Sequence, residues 1–112
     1  MGFESTSGLK RAVVALAATG NVVAAVAGKR IKVYAFELQS RDASMTFQFR
    51  DGAAGNLLGA RWGFNAREGA MAQPVSPPVY LFQTTAGNAL QGVLTGTGTI
   101  DCAVSYWDDN ST

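Results

Sequence analysis

The sequence predicts an all-β protein: a single-domain antiparallel β-sandwich, jelly-roll-like, with about eight short strands and a flexible N-terminal arm. Three observations predict it. Ala25 to Leu38, AVAGKRIKVYAFEL, reads as the end of one strand, a tight Ala-Gly-Lys turn and a long strand of β-branched and aromatic residues. Met45, Phe47 and Phe49 alternate with Thr46, Gln48 and Arg50, the clearest period-two pattern in the chain. Glycine, at 13 residues, separates the apolar runs, so that turn signals recur every ten or so residues. No stretch alternates helix and strand, which argues against a doubly wound fold.

Met1 to Gly8 is small and polar without periodicity, and reads as an arm that is mobile unless a partner holds it. The sandwich domain follows over 9–107, and 108–112 reads as a polar tail. In Leu9 to Ala18 the alanines favour helix and the Val13-Val14 pair favours strand; strand is the reading adopted. Lys10-Arg11 ahead of AVVALAA imitates a secretion signal. Thr19, Gly20 and Asn21 break that run well short of the roughly 20 apolar residues that a spanning helix needs. It therefore reads as the first part of the fold, with a short strand from Val22 to Val26 next.

Lys29 to Ser40 is the longest strand expected. Ile31, Val33 and Ala35 share one face, and Lys32, Tyr34, Phe36 and Leu38 the other. Both faces become apolar partway along, which predicts cover on both sides by a partner subunit or a folded-over loop. Arg41-Asp42 makes a turn, Asp51 to Gly59 a longer one, and Ala60 to Asn65 a strand with Trp62 and Phe64 on one face. Ala66 to Pro78 reads as a long loop, because Gly69, Pro74, Pro77 and Pro78 do not suit a central strand. Contact or function is expected there. Val79 to Gln83 is extended. Ala89 to Thr95 and Thr99 to Trp107 read as a hairpin around Gly96-Thr97-Gly98, with Ile100, Cys102, Val104 and Tyr106 alternating with Asp101, Ala103, Ser105 and Trp107.

A chain of 112 residues that is 47% hydrophobic can bury one proper core, and 15% charged residues is not a disordered composition. A net charge of +1 supplies no field for nucleic acid or an anionic membrane, and neither is expected as a partner. Lys10, Arg11, Lys29, Arg30 and Lys32 make the first third basic, while Asp101, Asp108 and Asp109 make the end acidic. That reads as a solvated surface of mixed sign or as complementarity between copies. Cys102 is the one cysteine, so neither an intrachain disulfide nor a multi-cysteine metal site can form. Its place beside Ile100 and Val104 predicts a buried thiol in a chain suited to a reducing cytoplasm.

Little in the chain suggests catalysis. Gly28-Lys29 fails as a phosphate loop: Val23 stands where the earlier glycine belongs, Arg30 stands where Ser or Thr belongs, and a strand follows. With no histidine, imidazole-activated nucleophiles are excluded. Glu37, Asp42, Asp51, Glu68 and Asp101 have no spacing that pairs them, and Glu37 reads as an ion-pair partner. Asp108-Asp109-Asn110 reads as a solvated tail rather than a cation site. Trp62, Tyr80, Phe82, Tyr106 and Trp107 read as core or interface packing rather than a sugar platform. The expectation is a protein that is not an enzyme and uses no cofactor.

AAVAGKRIKVYAFEL, PVYLFQTTAGNALQGVLTGTGTI and the closing VSYW resemble a small β-sandwich family of tailed bacteriophages that serves as capsid decoration (cement) proteins. The likeness covers roughly Val22 to Tyr106. Its most specific parts are the Ala-Gly-Lys hairpin before the long strand and the run from Leu81 to Leu90, which are turn and core signatures. The resemblance implies a virion protein on the capsid exterior, assembled in the host cytoplasm, forming a homotrimer and bound to the major capsid protein. The residues expected to make contact are Phe3 in the arm, Lys29 and Arg30 at the start of the long strand, Arg67, Pro74, Pro77 and Pro78 in the loop, and Trp107. The alternative is a phage tail or fibre module that binds host glycans through Trp62 or Trp107.

Overall fold

The computed structural model describes residues 9–53, 55–72 and 80–109. Its strands are β1 (Lys10–Leu16), β2 (Gly20–Val23), β3 (Arg30–Ser40), β4 (Met45–Asp51), β5 (Leu57–Phe64), β6 (Gly69–Ala72), β7 (Phe82–Gln83), β8 (Leu90–Thr95) and β9 (Ile100–Asp109). They form two antiparallel sheets. The first runs β1-β9-β3-β6, with β7 also on β3, and the second runs β2-β8-β4-β5.

The pairings nest: β1 lies on β9, β2 on β8, β3 on β6 and β7, and β4 on β5. The chain is one long antiparallel ribbon, folded at the β4–β5 turn and rolled up into a jelly roll. The expected all-β sandwich is what forms, with nine strands instead of about eight. The additional one is β6, which falls in the stretch expected to be a loop; β7, inside the run from Val79 to Gln83 expected to be extended, continues beside β3 where β6 leaves off.

Two expected hairpins are corrected by this topology. The Ala-Gly-Lys turn joins β2 to β3, and Gly96-Thr97-Gly98 joins β8 to β9; both cross from one sheet to the other. Alternation tells which face of a strand is buried, but both sheets bury the same kind of face, so it does not tell which sheet a strand joins. The glycines have steric work in these crossings. Gly28 has φ 73°, and a Cβ on Gly98 (φ 142°) would sit 2.3 Å from Asp42 Oδ2. Asp42 Oδ2 there accepts a hydrogen bond from the Thr99 amide at 2.9 Å, joining the β3–β4 and β8–β9 crossings.

The long strand β3 carries a bulge. Val33 pairs with Tyr106 and Ala35 with Ser105, so Tyr34 is the extra residue of the bulge. The extra residue reverses the alternation. Ile31 and Val33 point into the core before it, and Phe36 and Leu38 after it. The two apolar faces expected from sequence are therefore mostly one face, offset by a residue. Only Lys32, Tyr34 and Trp107 form a buried patch on the outside, where Tyr34 meets Trp107 edge to face at 5.7 Å. Lys32 Nζ lies 5.2 Å from the centre of the Tyr80 ring, so the chain itself contributes to that cover.

The expected loop from Ala66 contains β6, which pairs Gly69–Ala72 with Phe36–Gln39 of β3. The three prolines all follow it, so they do not interfere with its ladder. Gly69 is needed for close approach: a Cβ there would meet the Leu38 carbonyl oxygen at 2.3 Å. At the other end of the chain β9 runs to Asp109, so Asp108 and Asp109 belong to the sheet and not to a tail. Between the sheets an aromatic cluster fills the core, with Phe47–Phe49 at 4.9 Å, Phe36–Phe49 at 5.1 Å and Phe49–Phe82 at 5.1 Å. These edge-on and tilted contacts add to the burial of large apolar area.

Candidate functional site

The outward face of the first sheet carries an extended concavity that pairs exposed apolar side chains with charged groups. The register sets its rows. Val13 of β1 lies beside Ala103 of β9, which lies beside Glu37 of β3, which lies beside Met71 of β6. The next row holds Arg11, Ser105 and Ala35. Because the middle strands present Ala35, Ala103 and Ser105 outward, the floor is low. Val13 and Met71, each 70% exposed, stand on either side. Two adjoining hollows of about 540 and 370 Å³ result, sharing Glu37, Met71 and Ala103.

Two ion pairs border this trough, and a third, Lys10 with Asp108, lies outside it. Arg11 Nη2 donates to Glu37 Oε1 at 3.2 Å across the floor, with both groups exposed. Arg41 holds Asp101 by two hydrogen bonds of 2.8 and 2.7 Å. Those bonds and the Arg41 charge keep the Asp101 carboxyl below the usual carboxylate range, against a small desolvation penalty. Lys10 donates to both oxygens of Asp108 at 3.0 and 2.8 Å, which raises the Lys10 pKa. The basic start and acidic end of the sequence thus meet inside one chain, because β1 lies along β9. Glu37 is an ion-pair partner, as its isolated position on β3 predicts.

This arrangement offers shape and charge. Cys102 is 1% exposed, and burial pushes its thiol up to about 12, so no thiolate is available for attack. Among the described residues no group of three or more His, Cys, Asp or Glu side chains is placed to hold a metal. Among those residues, too, no helix is long and apolar enough to cross a membrane.

The contact residues expected from sequence are not gathered in the trough. Arg30 is half-buried and donates from Nη1 to the Thr84 carbonyl at 3.3 Å. Lys29 is also half-buried, and Trp107, at 5% exposed, is not displayed. Arg67 is exposed in the turn before β6, where its amide donates to the Ser40 carbonyl at 2.7 Å. That places it at the far end of β3 from Arg30, roughly 30 Å away along the strand. Phe3, Pro74, Pro77 and Pro78 lie outside the described residues. Trp62 is half-buried with its ring 6.1 Å from Phe36, so the two tryptophans do not form an exposed sugar platform.

Sequence reasoning missed Val13, Met71 and the small residues between them. A signal was present: Ala103 and Ser105 are the outward positions of a strand whose inward positions are Cys102 and Val104. Small, uncharged residues facing solvent mark a place where something can approach.

No family model matches the chain, and no match was found among curated proteins or solved structures.

Proposed function

We propose that this protein is a bacteriophage capsid decoration (cement) protein, which binds the outer surface of the major capsid protein shell and stabilises it through repeated non-covalent contacts. The observation that carries the reading is the trough on the outer sheet face, walled by Val13 and Met71 and rimmed by the Arg11–Glu37 and Arg41–Asp101 pairs. It is long, shallow and open, with apolar walls and charged groups between them, a mixture of apolar and polar surface that suits protein docking. A deep enclosed pocket would suit a small substrate better. Jelly rolls are also a common architecture of viral shells.

Such a protein needs a stiff body and a contact that recurs. A modest affinity per contact is enough when it is repeated over a shell, because each later contact forms at high effective concentration. Glu37, Arg11 and Gln39 would set orientation, and Val13 and Met71 would supply the apolar area. Electron microscopy of purified phage particles tests the reading. The expected result is density for this sandwich on the capsid exterior with its β1-β9-β3-β6 face toward the shell. Density only in the tail, or absence from particles, overturns it.

A further inference from the structure

Among the described residues the two sheets have five edge strands, β1, β6 and β7 in the first and β2 and β5 in the second. Four are protected by the usual devices. β2 and β6 are four residues each, and β7 is two. β5 is broken by a register shift opposite Phe47 and Phe49, by Gly59 at φ 76° and by Gly63, and it carries the exposed Arg61.

β1 has none of this. Its seven residues, KRAVVAL, contain neither Gly nor Pro, and its register on β9 is unbroken from Lys10 to Leu16. The two cations that would guard it are engaged elsewhere, Lys10 on Asp108 and Arg11 on Glu37. At its centre Val13 stands 70% exposed. Among the described residues no strand pairs its outer edge.

We infer that β1 pairs with β1 of a second copy, antiparallel about a twofold axis at Val13. This occupant is self-complementary. Antiparallel pairing centred there sets Val13 against Val13 of the second copy and sets Arg11 against Ala15 of the second copy. Ala15 shares a cross-strand row with Asp101. In the pair the Arg11 guanidinium of each copy stands, over a methyl group, in the row of the other's Asp101, so its exposed contact with Glu37 can be exchanged for one with Asp101, which Arg41 also holds. The two Arg11 side chains stay four residues apart along the strands, about 13 Å, beyond the screening length at physiological salt.

A slip of one residue would set Val13 opposite a residue that faces the other side, which the pleat forbids. Slips of two would take Arg11 out of the Asp101 row. The first sheet then runs unbroken through both copies, and the two troughs lie side by side around the axis. Identical strands paired antiparallel are related by a twofold, so this contact makes pairs of chains; a trimer would require a different contact.

The test combines solution mass with crosslinking of the full chain. Light scattering should give twice the protomer mass of 11.7 kDa. Val13→Lys places like charges directly opposite and should weaken association by roughly tenfold or more, with an unchanged circular dichroism spectrum. Val13→Cys should oxidise to a disulfide-linked dimer, since directly opposed residues of an antiparallel pair lie within reach of a disulfide. Met71→Cys, equally exposed on the opposite edge, should not. A monomer at every concentration, a trimer, or a dimer that Val13→Lys leaves intact and Val13→Cys fails to crosslink would overturn the inference.

Discussion

Asp51, the last residue of β4, accepts hydrogen bonds from both the amide and the hydroxyl of Thr85, at 2.8 and 2.6 Å. The Asn88 side chain adds a third at 3.1 Å. One buried carboxylate thus ties the β7–β8 turn to the end of the second sheet. On the neighbouring residue, the Thr84 hydroxyl accepts from the Ile31 amide at 3.0 Å, tying the same turn to the first sheet.

Asp51→Ala is expected to cost about 1–3 kcal/mol in urea unfolding, since it removes three part-buried hydrogen bonds to a carboxylate. Burial alone would raise the Asp51 pKa. The hydrogen bonds from Thr85 and Asn88, with the Arg30 charge, outweigh it and hold the carboxyl below its ordinary value. The sign follows by linkage: a depressed folded pKa stabilises above the unfolded value of about 3.9, and that stabilisation is lost as pH falls through the folded value. Asp51→Asn should therefore flatten the acid limb of stability against pH. An identical acid limb in the variant would contradict this.

Gly92 of β8 faces the core with no room for a methyl group. A Cβ there would lie 2.6 Å from Phe47 Cε2 and 3.0 Å from Leu16 Cδ1. Gly92→Ala should destabilise by about 1–3 kcal/mol through overpacking, read as a lower urea midpoint. Gly63→Ala, which meets nothing within 4 Å, is the control and should change stability by less than about 0.5 kcal/mol.

Trp107 packs edge-on against Tyr34, and among the described residues its buried indole N–H has no hydrogen-bond partner. Trp107→Ala should cost about 3–5 kcal/mol, whereas Trp107→Phe removes the unsatisfied donor and should cost less than about 1.5 kcal/mol. If Trp107 anchored a partner from the surface, Trp107→Phe would impair binding without altering stability; the burial predicts that binding is unaffected.

Cys102 should not react with thiol reagents in the folded protein, since burial both raises its pKa to about 12 and covers it. Labelling is expected to track unfolding in a denaturant series. Prompt labelling of native protein would contradict this placement.

Much of the fold was legible because strand patterning is local. Met45, Phe47 and Phe49 alternate as written, and all three are buried. Ile100, Cys102 and Val104 do the same in β9. The assignment of strands to sheets was not legible, because a glycine-bearing turn that closes a hairpin and one that crosses between sheets use similar residues. The bulge at Tyr34 was hidden for a related reason: an apolar, β-branched stretch tolerates a one-residue shift without a marked change in composition. β6 was masked by the prolines that follow it. The trough was missed because it is defined by register across four strands, β1, β9, β3 and β6, which are far apart in the chain.

Co-sedimentation with expanded capsid shells tests the central claim most directly, comparing the unaltered chain with Met71→Glu. Met71 is exposed, so the substitution should leave folding intact while placing a charge in the apolar wall of the trough. The account predicts that the unaltered chain saturates the shells and that Met71→Glu binds far less. Equal binding by both, or binding by neither, would contradict it.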